Sequence, residues 1–231
     1  MTALSIIIPT LNEAAGIAAA LAAVANLRAA GTEVIVADGG SDDRTLAIAR
    51  PLCDQIAVAP RGRGAQMNAG ATLARGNVLL FLHADTRLPP AADRLVLDGL
   101  ARSKRAWGRF DARIVGRHPL LPMIAALMNW RSRITGIATG DQAMFVRRSA
   151  FTAAGGFPDI PLMEDLVLSQ RLSRLTRPLC LRACVATSGR RWDERGLLPT
   201  ILLMWRLRLA FYLGADPKGL ARAYGYMPRQ S

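Results

Sequence analysis

Ser5-Ile6-Ile7-Ile8, running into Pro9-Thr10-Leu11-Asn12-Glu13, is the stretch that decides the fold. Successive side chains of a strand point to opposite faces, so three isoleucines in a row leave no face for water. A strand covered on both sides belongs to a parallel sheet with helices above and below it. Pro9 ends the run, and Asn12 is placed as an N-cap for a helix in which Ile17, Leu21, Val24 and Arg28 recur at helical spacing.

Working outward, the same alternation continues. Strands are expected over 33–37, 55–59 and 77–82, separated by helices over 43–51, 65–75 and 90–102, which gives a βαβαβαβ order. Beyond residue 104 the rhythm changes. Phe110, Ala112 and Ile114 alternate with Arg109, Asp111 and Arg113, predicting a strand with one wet face. Helices are expected over 121–133, 164–175, 196–213 and 217–224, with strands over 142–147 and 179–186. No repeat or linker appears, so residues 1–231 read as one α/β unit, with disorder expected only over Met227–Ser231.

Composition bounds the function. The formal net charge is +13, from 30 Lys and Arg against 17 Asp and Glu, and nearly all the cations are Arg. Such an excess suits nucleotide phosphates, nucleic acid or an acidic lipid surface, and equally a solvated basic exterior. Cys53, Cys180 and Cys184 form no CxxC pair and leave one over, which reads as reduced thiols packed in the core. There is no basic leader before Leu4 and no run of about 18 apolar residues, so a cytoplasmic chain is expected.

In an open parallel sheet, ligands bind beyond the carboxyl ends of the strands. Three polar clusters fall at such ends: Pro9–Glu13, then Asp38-Gly39-Gly40-Ser41-Asp42-Asp43, then His83-Ala84-Asp85. Each has a plainer reading. Asp38 and its glycines make a turn, Asp85 caps a helix ahead of Pro89-Pro90, and His83 sits as a bonded core histidine. Arg61-Gly62-Arg63-Gly64 lacks the third glycine of a dinucleotide fingerprint, and no GxxxxGK[ST] phosphate loop is present.

Taken in order, strand–Pro-Thr-x-Asn-Glu, Val-x-Asp-Gly-Gly-Ser-x-Asp, Phe-Leu-x-x-Asp and Glu164-Asp165 resemble family 2 glycosyltransferases of the GT-A fold, over residues 4 to about 192. The chain also resembles a small bacterial subgroup carrying Gly140-Asp141-Gln142, Pro161-Leu162-Met163-Glu164-Asp165 and Arg190-Arg191-Trp192. The resemblance implies a mainly parallel central sheet flanked by helices, with a smaller antiparallel element. It divides the chain into a nucleotide-binding half (1–104), an acceptor and catalytic half (105–192) and C-terminal helices (193–231).

It also implies roles. Pro9, Thr10, Asn12 and Glu13 line the nucleoside pocket, and Asp38 accepts a hydrogen bond from the base, which favours uracil. Arg63 and Asn68 contact the nucleotide, Arg63 with a planar fork suited to phosphate. The Asp-x-Asp metal motif stands here as His83-Ala84-Asp85, so Asp85 is the implied ligand of Mg²⁺ or Mn²⁺, and His83 takes the place of a carboxylate near the ribose. Asp165 is the implied base that takes the acceptor's proton, with Glu164 supporting it; as bare residues the pair also reads as first-turn helix carboxylates. Arg191 is placed to reach the diphosphate and Trp192 to stack on an acceptor sugar; the plainer reading is a basic loop with a partly buried Trp.

The implied partners are a nucleotide-sugar donor and an acceptor that the sequence leaves open among lipid carrier, glycan and small metabolite. Leu197–Leu213 and Leu120–Trp130 are apolar and flanked by Arg, as in helices that lie on an anionic bilayer at its inner face, cover a sheet or pair between subunits. Two rivals compete. A sugar-nucleotide nucleotidyltransferase needs a Gly-rich first loop, absent here. A nucleic-acid-binding protein would account for the charge and leave the strand-end carboxylates unexplained, so no nucleic acid is expected.

Overall fold

A computed structural model describes residues 2–226; the expectation made for Met227–Ser231 lies outside the described residues. Eight strands form one sheet: β1 (Leu4–Thr10), β2 (Glu33–Asp38), β3 (Gln55–Val58), β4 (Val78–Phe81), β5 (Thr86–Arg87), β6 (Trp107–Val115), β7 (Phe145–Arg147) and β8 (Leu179–Ser188). Their order is β3-β2-β1-β4-β7-β6-β8-β5. The pairs among β1 to β4 are parallel, as is β6 with β8, while β7 runs antiparallel to both neighbours and β5 to β8. This is the mainly parallel, helix-flanked sheet with an antiparallel element that the sequence predicts. All of β2 and β4, and all of β1 but Pro9, is buried.

The helices are α1 (Ile17–Ala22), α2 (Ala25–Ala29), α3 (Thr45–Ala49), α4 (Arg63–Leu73), α5 (Ala92–Arg102), α6 (Leu121–Thr135), α7 (Arg148–Ala153), α8 (Glu164–Leu175), α9 (Arg190–Arg195), α10 (Leu197–Tyr212) and α11 (Pro217–Tyr224). Two cores lie on opposite faces of the sheet. Ile6, Ile8, Val34 and Val36 point to one, with α1 and α5; Ile7, Ile35 and Leu79 point to the other, with α4 and α8. At Gly70 a Cβ would meet Ile7 Cγ2 at 2.5 Å, so glycine lets α4 lie directly on the sheet.

Several expectations are corrected. Asn12 does not cap a helix: it stands at φ 54°, and α1 begins five residues later, after Gly16. Its side-chain oxygen instead accepts the Asp42 N–H at 3.0 Å, tying the first strand-end loop to the second. Asp85 caps nothing either, since α5 starts at Ala92. Arg109 is fully buried, because α6 covers that face; it donates to Ser132 Oγ and Asn129 O and pairs with Asp111. Cys184 is exposed on β8 rather than packed inside, and Cys53 is the buried thiol. Residues 190–195 form the short helix α9 where a loop is expected, and β5 and α7 are elements that the sequence pattern does not announce.

Candidate active site

The β1 and β2 ends are level, with Thr10 opposite Asp38 in the parallel register. Asp38 is fully buried, and its carboxylate accepts from the N–H groups of Gly40 (2.9 Å) and Ser41 (2.8 Å), from Ser41 Oγ (2.5 Å) and from Thr10 Oγ1 (3.4 Å). A carboxylate with that many donors anchors its own loop. Asp43 does the same for the start of α3, taking Thr45 N and Oγ1 and the Ala14 N–H, and its pKa is held below the ordinary carboxylate value chiefly by the Thr45 hydroxyl. Glu13 stands at the exposed rim, its pKa raised by partial burial and then by Asp85.

The β4 end carries His83-Ala84-Asp85. Asp85 is exposed, with one long hydrogen bond from Thr86 Oγ1 at 3.4 Å. His83 packs against Gly140, where a Cβ would overlap the imidazole. Burial, then the Arg63 guanidinium, hold the His83 pKa down at about 4 against the pull of Asp85 and Asp165, so the ring is neutral at pH 7. Gly140 also donates its N–H to Asp165 Oδ2 at 2.8 Å, while Asp165 Oδ1 accepts the Leu166 N–H at 2.7 Å. One residue therefore touches both His83 and Asp165. These side chains, with Met67, Phe81, Met144, Phe157 and Glu164, enclose a void of ≈ 10 Å³, room for about one water.

Glu164 and Asp165 open α8 after Met163, which is left-handed at φ 72°. Backbone in that region stores strain that surrounding structure must hold. Met163 is buried with Ile137, Leu162, Leu166 and Leu207. Ahead of it, both backbone groups of Phe157 bond the Asn68 side chain, N–H to Oδ1 at 3.0 Å and Nδ2 to O at 2.9 Å. Phe157 itself packs edge-on to Phe81 at 4.8 Å. Asn68 thus fixes the Gly155–Pro158 loop to α4, a use for its amide that the expected nucleotide contact does not include.

Arg63, at the first turn of α4, lies among Glu164, Tyr224, Asp141 and Asp165. Burial lowers its pKa, and those groups more than offset that, so it is raised overall. Glu164 is buried, and burial followed by the neighbouring Asp165 pushes it up to about 7. Arg191 lies 3.8 Å from the Tyr224 ring centroid and donates to Tyr224 O at 3.3 Å. Trp192 is half-buried against Ile114, Ile124, Leu121 and Ala125, the packing that its plainer reading expects.

Two residues of this cluster are absent from the sequence reading. Asp141 accepts a 3.4 Å hydrogen bond from Thr187 Oγ1, and burial and then Asp85 raise its pKa. Its place in Gly140-Asp141-Gln142, a motif the sequence does flag, was the available signal. Tyr224 arrives on α11, more than thirty residues after the last motif, and no local pattern marks it.

Residues 5–152 match the profile of Glycosyl transferase family 2, and the chain belongs to that family. It is 41% identical over 91 residues to PGL/p-HBAD biosynthesis glycosyltransferases of Mycobacterium bovis and Mycobacterium tuberculosis. That overlap is 36% of this chain and spans only 36% of the length of those curated relatives. In fold it is similar to S. aureus TarS solved with UDP-GlcNAc (20% identity, TM-score 0.66, covering 96% of this chain and 69% of that one). It is likewise similar to glucosyl-3-phosphoglycerate synthase of Mycobacterium tuberculosis solved with Mn²⁺, UDP and phosphoglyceric acid (20% identity, TM-score 0.64, covering 93% and 80%).

The raised Glu164 has a consequence for stability. A carboxyl moved from 4.5 to about 7 keeps its proton in the folded state when the unfolded chain has lost it. Stability from this group is full below pH 4.5, falls as pH rises to about 7 and is level above. Glu164→Gln, which cannot ionise, should flatten the Tm–pH curve across that window; parallel curves for the two proteins would contradict the assignment.

Proposed function

We propose that this chain is an inverting, metal-dependent glycosyltransferase that moves a sugar from a UDP-sugar onto a hydroxyl acceptor. The observation that carries the reading is Gly140, which seats the His83 ring on one side and bonds Asp165 on the other, so the implied metal-side and base-side groups share one neighbour. Family membership supports the transfer chemistry, and the UDP and UDP-GlcNAc bound by TarS support a uridine donor.

Among the described residues, no three His, Cys, Asp or Glu side chains are grouped as a protein-only cage. What is present, an exposed Asp85 carboxylate beside a neutral imidazole, suits Mg²⁺ or Mn²⁺ whose other ligands are water and diphosphate oxygens. Mn²⁺ in the M. tuberculosis synthase supports this choice of ion. When bound, the ion would neutralise charge developing on the leaving diphosphate.

The chain's own residues do the rest. Pro9, Thr10, Asn12, Glu13 and Asp38 form the loop edge that receives the nucleoside. Arg191, held by Tyr224, and Arg63 supply positive charge toward the diphosphate. Asp165 takes the proton from the acceptor hydroxyl as its oxygen bonds the anomeric carbon and the bond to diphosphate breaks on the opposite face, which inverts the configuration. Glu164, protonated below about pH 7, keeps a second negative charge away from Asp165. The order of Gly140-Asp141-Gln142, Pro161–Asp165 and Arg190-Arg191-Trp192 supports placing the chain in a small bacterial subgroup, with residues 1–231 acting as one unit.

A specific surface observation favours work at a membrane. On α6, Met123, Leu127, Trp130 and Ile134 are exposed at alternating three- and four-residue spacing, and on α10 Leu198, Leu202, Trp205, Leu209 and Tyr212 repeat the pattern. No helix among the described residues is long and apolar enough to cross a bilayer. With the net charge of +13, such stripes suit the surface of an anionic, inner-face leaflet.

Three outcomes are expected. UDP with Mg²⁺ or Mn²⁺ raises Tm, and Asp85→Ala abolishes the metal-dependent part; an unchanged shift in that variant would remove Asp85 from metal binding. Asp165→Asn keeps the donor-induced shift and lowers transfer by about 10²–10⁴-fold, whereas undiminished turnover ends its role as base. Vesicles containing acidic lipid pellet the protein and neutral vesicles do not; equal pelleting, or none, refutes membrane docking.

A further inference from the structure

The seam between α6 and α10 holds two arginines that the reaction above does not use. Arg131 comes from α6 and Arg208 from α10. The Nε and Nη2 atoms of Arg131 and the Nε of Arg208 are buried and have no hydrogen-bond partner, and no other buried side-chain N or O atom among the described residues is left so. The contrast with Arg109 is instructive: that fully buried guanidinium reaches Ser132 Oγ, Phe110 O, Asn129 O and Asp111. Buried polar groups in folded proteins are almost always bonded, and an orphaned charged donor is among the more costly exceptions.

The place of these orphans gives them meaning. Leu207, next to Arg208 in α10, is buried with Ile137, just past the end of α6, and with Met163 and Leu166, so α10 lies against the first turn of α8, where Asp165 stands. Burial, and then Arg208, pull the Arg131 pKa down to about 10, with Asp165 and Tyr212 acting in the opposite sense. The carboxylates of this region are engaged elsewhere. Asp111 pairs with Arg109 and Arg133, and Asp165 accepts the Gly140 and Leu166 N–H groups.

We propose that Arg131 and Arg208 form an anion subsite for the acceptor, one that takes a phosphoryl group and so sets the acceptor's hydroxyl toward Asp165. Two guanidinium forks ask for a ligand with two negative charges and several acceptor oxygens, and a phosphate monoester supplies both, whereas a lone carboxylate leaves one fork uncompensated. The phosphoryl group is the anchor and not the nucleophile. The word acceptor rests on the glycosyl-transfer reading; the anion site itself does not. A lipid phosphate and a soluble phosphate ester share this chemistry, and the exposed apolar stripes that flank the seam on both helices make the lipid source worth a separate arm.

The test is a thermal-shift and binding titration with inorganic phosphate, glycerol phosphate and farnesyl phosphate in micelles, on the wild type, Arg131→Met and Arg208→Met. Each series is run with and without saturating UDP and Mg²⁺. The expected result is stabilisation of the wild type by phosphate probes on top of the UDP–Mg²⁺ shift, with apparent Kd raised about 10- to 100-fold in either variant. Without ligand the variants should melt no lower than the wild type, since each loses an unpaired buried charge. Preference for farnesyl phosphate identifies a lipid-linked acceptor, and equal response to all three probes a soluble one. Variants that respond to phosphate like the wild type, or that melt lower without ligand, overturn the proposal, because the arginines then hold the fold. Loss of the UDP–Mg²⁺ shift alone would instead count against the transfer reading, and the series without nucleotide would still decide the subsite.

Discussion

Because β1, β2 and β4 are covered on both faces, they meet solvent only at their ends, and that constraint arranges everything else. Helices must lie above and below, so polar groups collect in the loops at the carboxyl edge. The edge is then braced from within. Gln66 Nε2 donates to Thr10 O at 2.6 Å and to Ala37 O at 3.0 Å, and Gly39 N–H donates to Thr10 O at 2.9 Å. With Asp38 gathering its own loop, the first two strand ends become a rigid ledge rather than mobile turns.

The second half of the chain brings Glu164 and Asp165 to that ledge through close backbone approach. At Gly64 a Cβ would fall 2.6 Å from Pro158 O and 3.7 Å from Glu164 Cβ, so α4 can meet the start of α8 only without a side chain there. The same contact brings Arg63 among Glu164, Asp141 and Asp165. Carboxyls this crowded cannot all be charged in a partly dry site, and two relieving factors are present: a guanidinium among them, and a Glu164 that keeps its proton up to about pH 7. Site electrostatics and packing are therefore one arrangement, not two.

How much of this was legible depends on whether the governing interaction is local. The isoleucine run fixes the two-sided strand, and the polar residues after it fix where the edge lies, both from neighbours in sequence. Glu164–Leu175 is read as a helix from its start to its end, because its carboxylates and apolar spacing are local too. Asn12 misled because an N-cap and a left-handed turn residue draw on the same short polar side chain; the deciding partner, the Asp42 N–H, is 30 residues away. Arg109 misled for a similar reason, since alternation marks a face as polar without saying that α6 covers it. Asp141 and Tyr224 join the cluster through tertiary contacts alone, and only the motif around Asp141 offered a hint.

The charge pattern argues that the folded chain alone is an incomplete electrostatic object. Along the rim, burial and then the Asp85 charge raise the pKa values of Glu13 and Asp141, so negative charge is crowded there. At the α6–α10 seam the deficit has the opposite sign, with orphaned guanidinium N–H groups short of an anion. Arg63, among Glu164, Asp141 and Asp165, offsets part of the negative charge at the rim. A metal–diphosphate at the rim and an anionic acceptor at the seam would relieve both, and each would do so more strongly as water is excluded. On that account the electrostatic strain of the free chain is relieved most fully when both ligands bind.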